Sequence, residues 1–308
     1  MLGYIVRRVL WIVPVLFFVS VITFVLMRAT PSGPFDSFGA GRIAAPGVVA
    51  QLERKYGLDK PPHEQYLRWV GNLLIGDLGP SYKYRDRTVN DIVGDGIWVT
   101  VHLGVMAFAL SVIVGIPLGV IAALRHNGVP DYLATFISVL GIATPSFVLS
   151  ILLLVFFAVT VRWFPSYGWQ TPAHWVLPTI ALAGFPIAQI ARYTRASMLE
   201  VTRKDYVRTA HSKGLKERSV VSIHMIRNAL IPVVTILGPI FAFLVTGSFI
   251  IETIFSVPGI GRYFVLSIAQ RDYGVIMAMV MLFAVTIAVM NLVVDVLYAY
   301  IDPRIRYS

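Results

Sequence analysis

The sequence predicts an all-α, polytopic membrane protein with six transmembrane helices, and three observations predict it. Hydrophobic residues make up 57% of the 308-residue chain and charged ones only 14%, whereas soluble domains carry roughly 45–50% and about 25%; mean hydropathy is +0.74. The apolar residues fall into six runs, at approximately 9–29, 97–123, 132–161, 174–198, 228–251 and 275–300, each close to the roughly 20 helical residues that cross a hydrocarbon core of ~30 Å. The strict alternation of a transmembrane barrel is absent, and lipid leaves a lone spanning segment only the helix to satisfy its backbone polar groups. The net charge is +10, which in a soluble protein suggests nucleic acid. Here its placement assigns it to the membrane surface, so no nucleic-acid partner is expected. The chain has no cysteine, which excludes disulfides, thiolate metal sites and cysteine nucleophiles.

The first run follows Arg7 and Arg8, as the apolar core of a signal peptide does. Residues 9–27 exceed a typical signal core and no A-x-A site follows, so the run reads as a retained helix. The segment 30–96, an extracytoplasmic insertion in this reading, is too long for a connector. It opens with Pro31-Ser-Gly-Pro34 and a Gly/Ala-rich stretch that reads as irregular. A short helix over 48–56 closes at Gly57, and Pro61-Pro62 opens another over 63–75. The second gathers Tyr66, Leu67, Trp69, Val70, Leu73 and Leu74 on one apolar and aromatic face. That face suits a helix lying at the interface or capping the bundle; a docking surface for an external partner is the other reading.

The middle runs are interrupted by Gly115-Ile-Pro117 and Gly119, by Thr144-Pro145, by Pro178 and Pro186, and by Gly238-Pro239. Proline removes a backbone hydrogen bond and bends a helix, and small residues let helices approach closely. Ordinary packing accounts for any one of these. Together Pro117, Pro145, Pro186 and Pro239 are candidate kinks in a bundle that moves around a path. Residues 9–27, 97–123, 132–161 and 228–251 contain no Asp, Glu, Lys or Arg, so the midplane charge of an ion-driven carrier is missing from them. Ser111, Thr144, Ser146, Thr246 and Ser248 are the polar groups offered to a path. Glu252 and Asp295 lie near helix ends and read as interfacial.

Basic residues set the orientation. Segment 192–227 holds nine Lys/Arg against three acids, a net of +6. Arg7 and Arg8, Arg125, and Arg304 and Arg306 fall on the same side, whereas 162–173 has only Arg162 and 252–274 is balanced. Both termini are therefore cytoplasmic, with the bases also facing anionic lipid.

Within 192–227, Thr202-Arg-Lys-Asp205 fits a helix start, with the acid near the positive end of the dipole. Gly214 fits the C′ position and Lys213 the last turn. The predicted helix has about eleven residues, or ~16 Å, with Tyr206, Val207 and Ala210 on one side and Arg203, Lys204, Arg208 and Lys213 around the rest. So short a helix is marginal alone in water, so something packs on it. A second helix begins near Lys216, with Ile223, Ile226 and Leu230 at i, i+3, i+7.

Here a resemblance becomes specific. Arg208-Thr-Ala-His-Ser-Lys-Gly214, with Ala210 and Gly214 in place, resembles the EAA-x-x-x-G loop of binding-protein-dependent ABC importer permeases. Asp205-Tyr-Val-Arg-Thr-Ala, Lys213-Gly and Arg227-Asn-Ala-Leu-Ile-Pro232 are similar to the peptide branch of that family. So are Tyr4-Ile-Val-Arg-Arg8, Tyr56-Gly-Leu-Asp-Lys-Pro, Gln65-Tyr-Leu-Arg-Trp and Gly76-Asp-Leu-Gly, and so are Glu252-Thr-Ile-Phe-Ser-Val-Pro-Gly-Ile-Gly261, Arg271-Asp-Tyr and Asp302-Pro-Arg304. The match runs nearly end to end and looks most like the B-type membrane subunit of dipeptide/oligopeptide permeases. The resemblance implies a type I importer fold in a bacterial inner membrane. It implies a second homologous permease subunit, two cytoplasmic ATP-binding subunits and an extracytoplasmic peptide-binding protein. It implies that 203–214 is the coupling helix lodged on an ATPase, through Asp205, Tyr206, Arg208, Thr209, Ala210, Lys213 and Gly214. The general motif begins with Glu where this chain has Arg208, so Asp205 stands in as the acid.

Other classes lack their motifs. The chain has no Gly-x4-Gly-Lys-Ser/Thr loop, so ATP binds elsewhere and neither catalysis nor a cofactor is expected of this chain. A membrane protease needs His-Glu-x-x-His, Gly-x-Ser-x-Gly or paired midspan aspartates, and none is present. His63, His102, His126, His174, His211 and His224 form no metal-spaced pair. A related permease for nickel, haem or another small solute is the alternative reading, and a channel is the more distant one.

Overall fold

The computed structural model describes residues 2–301 except 31, 32, 36, 39–41, 44, 45 and 85. The basic pair Arg304 and Arg306, the stretch Asp302-Pro-Arg304 and part of the irregular segment after Pro31 lie outside the described residues.

Helix α1 (Leu2–Ala29) is continuous through Pro14. Strands β1 (Ser37–Phe38) and β2 (Arg42–Ile43) then pair antiparallel, Ser37 opposite Ile43. Helix α2 (Pro46–Tyr56) stops at Gly57, whose φ of +69° is the left-handed conformation glycine adopts freely. Helix α3 (Pro62–Leu74) starts with proline in its first turn, where no N–H is needed. Its aromatic face packs only in part. The hydroxyls of Tyr66 and Ser20 on α1 lie 2.7 Å apart, and the Tyr66 ring sits edge-on to Phe17 and Phe24. Leu67 and Leu74 remain exposed.

Helix α4 (Val89–Leu124) has 36 residues, or ~54 Å, and starts well before the apolar run. A capping box explains the early start: Thr88 N–H donates to Asp91 Oδ2 at 2.8 Å and Asp91 N–H donates to Thr88 Oγ1 at 3.1 Å. The third run is not one straight helix. Helix α5 (Val129–Ala143) ends at Thr144-Pro145, and α6 (Ser146–Leu153) departs at 106°, continuing as a π-helical stretch, Leu154–Thr160. Pro145 supplies no N–H to the turn before it and holds Thr144 extended, which ends α5 there. Among the described residues, five helical segments are long and apolar enough to span a membrane, and the bent pair is a sixth if counted as one.

Helix α7 (Pro172–Thr202) runs through Pro178 and Pro186. After the short α8 (Asp205–Ser212) come α9 (Glu217–Ser219), a π-helical stretch Val220–Ile226, and α10 (Arg227–Val245). A turn at Gly247, φ +98°, leads to α11 (Phe249–Ile254), α12 (Gly261–Gln270) and α13 (Tyr273–Ile301).

The centre of the bundle is the α4–α7 pair, which packs along most of its length. Glycine makes this possible. A Cβ on Gly119 would lie 2.5 Å from Ala191 O, and one on Gly115 would lie 2.9 Å from Ile190 Cβ. Helix α10 joins the same core through Leu244, whose carbonyl would stand 2.5 Å from a Cβ on Gly104. Helices α1 and α13 pair at the periphery, where Arg8 contacts Asp295 at 2.8 Å.

Glu252, read above as interfacial, is fully buried. It accepts from Thr100 Oγ1 at 3.0 Å and from Arg262 N–H at 3.2 Å, inside a cage of Gly247, Gly259 and Gly261. Asp272 is equally buried: it accepts from Ser81 Oγ and from the N–H groups of Tyr82, Lys83 and Val275, fastening 81–83 onto the start of α13.

Candidate coupling surface and central cavity

Helix α8 is shorter than its sequence pattern suggests. Thr202 does not cap it, because α7 continues to Thr202 and that hydroxyl donates to Met198 O at 2.8 Å. Lys204 is the N-cap and Asp205 opens the helix. The other end follows the pattern. Gly214, φ +75°, donates to His211 O at 2.9 Å and Leu215 N–H donates to Ala210 O at 3.4 Å, a Schellman closure.

What packs on α8 is the chain's own body. Val207 and Ala210 are buried against Ala123 at the end of α4, Met198 and Val201 at the end of α7, and Val220, Met225 and Ala229 in the stretch leading into α10. Ser197 Oγ donates to Ala229 O at 2.8 Å, tying α7 to α10 beside it. Tyr206 does not share this buried side; it is exposed. Of the predicted coupling residues, only Ala210 faces inward, while Asp205, Tyr206, Arg208, Thr209, Lys213 and Gly214 face out. Asp205 and Arg208 approach to 3.8 Å on this face.

The following segment also departs from its pattern. Ile223 is exposed, and the buried positions are Val220, Met225, Ala229 and Val233. The π-helical stretch carries more residues per turn than an α-helix, so a spacing of five replaces the first three-to-four step. His211 bridges the two pieces: Nδ1 meets Val207 O at 3.0 Å and Nε2 meets Glu217 Oε2 at 2.8 Å. Donating to the Glu217 carboxylate holds the imidazole above its ordinary value.

A cluster that composition does not reveal braces the same end. Asp131, 3% exposed, accepts from Arg195 Nε at 2.5 Å, from an Arg195 terminal nitrogen at 2.8 Å and from Asn127 N–H at 2.9 Å; His126 Nδ1 lies 3.0 Å away. The pair locks the α4–α5 turn onto α7. Its only sequence signal is an acid just inside a helix start, beside a basic residue two turns from the end of another helix.

A cavity of about 320 Å³ opens at the α5–α6 bend. Thr144, Pro145 and Ser146 form one wall, Phe185 and Pro186 of α7 another, with Phe243 and Ser248 beyond. Two of the candidate kinks, Pro145 and Pro186, thus meet here. Pro117 and Pro239 do not; both lie exposed along unbroken helices. Three of the candidate path groups, Thr144, Ser146 and Ser248, line the cavity. Ser111 and Thr246 are instead buried, their hydroxyls donating to Ala107 O and Phe243 O. Among the described residues no three His, Cys, Asp or Glu side chains gather as a metal site.

Residues 115–307 match the family model of the binding-protein-dependent transport system inner membrane component, and residues 1–101 match the model of the N-terminal part of such membrane components. The chain is 44% identical over 306 residues to the dipeptide transport system permease protein DppB of Bacillus subtilis, covering 99% of this chain and 98% of that one. It is 43% identical over 309 residues to the oligopeptide transport system permease protein OppB of Salmonella typhimurium, covering 100% of both. Its fold is similar to a chain of the inward-facing MetNI methionine ABC transporter, with TM-score 0.58 at 17% identity over 68% of this chain and 96% of that one.

Proposed function

The chain belongs to the family of binding-protein-dependent transport system inner membrane components, and from that premise we propose that it is a transmembrane permease subunit of an ATP-driven importer, passing dipeptides or oligopeptides. The observation that carries the reading is the end-to-end identity to permeases named for those cargoes. The fold is that of a type I ABC importer permease. Membership implies ATP-binding and substrate-binding partners. In our reading these are two cytoplasmic ATP-binding subunits, an extracytoplasmic peptide-binding protein and a second homologous permease that supplies the other half of the path. The chain sits in the inner membrane with both termini in the cytoplasm, the excess of Lys and Arg around α8 facing inward.

The exposed face of α8 is the contact for an ATP-binding subunit. What supports this is its mounting: Val207 and Ala210 are seated against the ends of α4 and α7 and the run into α10. A push on α8 therefore moves three core helices together, because close-packed interiors transmit displacement rather than absorb it. Further along the same body, at the middle of α7, lies the Pro145–Pro186 cavity, which we read as part of the path opened and closed by alternating access.

The chain has no cysteine, so Thr209→Cys creates a unique thiol on the exposed face. In the assembled importer it should cross-link to an ATP-binding subunit in at least one nucleotide state, while Leu67→Cys on α3 should not. No cross-link from residue 209 in any state would remove α8 from the contact.

A further inference from the structure

The cavity at the α5–α6 bend has a neighbour on the side toward α8. Ile142 lines both it and a second cavity, of about 400 Å³, between α4, α5 and α7. That is more than twice the ~150 Å³ that admits benzene. The two cavities follow one face of each wall helix. On α7, Phe185 lines the first and Arg192 the second; seven residues are nearly two turns, so both project from one side. On α5, Thr135, Ser138 and Ile142 fall at i, i+3, i+7. The two helices run antiparallel: Asp131 meets Arg195, while a Cβ on Gly141 would lie 2.8 Å from Ala188 Cβ. That register sets Thr135 at the level of Arg192.

The second cavity holds charge of one sign. Arg192 and Arg195 line it, and no Asp or Glu among the described residues does. Arg195 is held by both carboxylate oxygens of Asp131, which offsets its charge. Arg192 is exposed and is in no ion pair among the described residues. It also lies inside the fourth apolar run, 174–198. A guanidinium within a span is costly in lipid and is kept where it faces a cavity or a partner charge; here it faces a cavity.

Peptide cargoes differ in their side chains but share a carboxylate at one end, and a guanidinium matches both of its oxygens at once. We propose that Arg192 binds the C-terminal carboxylate of the peptide as it passes from the Pro145–Pro186 cavity toward the cytoplasm. This rests on the importer reading and names the end of the cargo that leads. Pro186 and Arg192 are six residues apart on α7, a rise of ~9 Å, and three extended peptide residues span ~10 Å. A tripeptide held at Arg192 therefore keeps its first residue beside Thr144 and Ser146 in the first cavity.

The chain has no cysteine, so Thr135→Cys, at an exposed position of this lining, gives it a single thiol. In the assembled, nucleotide-free importer in nanodiscs, a charged, membrane-impermeant methanethiosulfonate should label that thiol, read by mass on this chain. Trialanine should slow the labelling, and trialanine amide should need a concentration at least about tenfold higher for the same protection. Adding Arg192→Gln should raise the trialanine requirement to that of the amide, with Arg192→Lys in between; the exposed position of Arg192 lets these variants fold. No labelling would set the cavity against lipid or a subunit and overturn the proposal. So would no protection up to about 10 mM trialanine, equal protection by the amide, or undiminished protection in Arg192→Gln. Trialanine uptake by the unmodified importer reports the importer reading separately, so uptake without protection removes the Arg192 role alone.

Discussion

Gly214 is the residue at which backbone conformation and proposed function meet. Its φ of +75° closes α8, and a Cβ there would touch nothing within 4 Å, so the penalty of a side chain is conformational rather than steric. Gly214→Val places a β-branched residue in left-handed backbone, at a cost of about 1–2 kcal/mol. The end of α8 should fray while the complex still assembles, and ATP hydrolysis should lose its tie to uptake. Gly214→Asn, which tolerates that conformation, should keep most of the coupling. Vesicle uptake measured beside ATPase rate separates the cases, and wild-type uptake by Gly214→Val would take the α8 closure out of the mechanism. Asp131 makes a different kind of prediction. Asp131→Asn leaves Arg195 facing a neutral amide, and the loss should fall below the ~3–5 kcal/mol of a fully buried pair, because the Arg195 side chain is 29% exposed. Thermal unfolding in detergent should show a lowered Tm. Arg195→Lys should lower it too, by less, since an ammonium keeps the charge but cannot reproduce the two-nitrogen contact. An unchanged Tm would mean that the pair does not brace the helix ends.

Between elements, the α8–α9 junction should respond to pH. The Glu217 hydrogen bond raises His211 above its ordinary 6.5, so the protonated form is favoured in the folded protein. Its contribution is complete below 6.5 and disappears as pH climbs through the raised folded value. Both side chains are exposed, so the effect is local and modest. Amide-exchange protection of 205–217, corrected for intrinsic rates, should fall as pH rises, and His211→Ala should flatten the profile. A pH-independent profile in the unmodified protein would mean that the bridge does not order the turn. The same junction shows how far an apolar pattern reads. The i, i+3, i+7 spacing of Ile223, Ile226 and Leu230 marks a helix but misses which face is buried, because periodicity presumes an α-helical turn and the chain takes a π-helical one. The Thr144-Pro145 stop was legible as an interruption. Its 106° bend was not, since proline disfavours the straight helix without choosing the angle that packing against α7 imposes.

Taken whole, the molecule exposes a broad band of apolar side chains on α1, α5, α6 and α13, as lipid requires, and it carries no phosphate loop of its own. Purified alone it should hydrolyse no ATP, and in a planar bilayer it should pass no current; conductance from the lone chain would favour a channel instead. The amino-acid sequence by itself determined the number of apolar segments, the two short helices closed by Gly57 and opened by Pro61-Pro62, the glycine stop at Gly214 and the motif that places the chain in its family. Each of these rests on local chemistry: hydropathy over a window, a missing N–H, a φ that only glycine takes freely. The tertiary structure alone decided that Asp131 meets Arg195 across 64 residues, that Thr100 meets Glu252 across 152 and that Ser81 meets Asp272 across 191. It also decided that Val207 and Ala210 seat α8 on the bundle. These are long-range pairings, and their partners are selected by how whole helices pack, which no window of sequence contains.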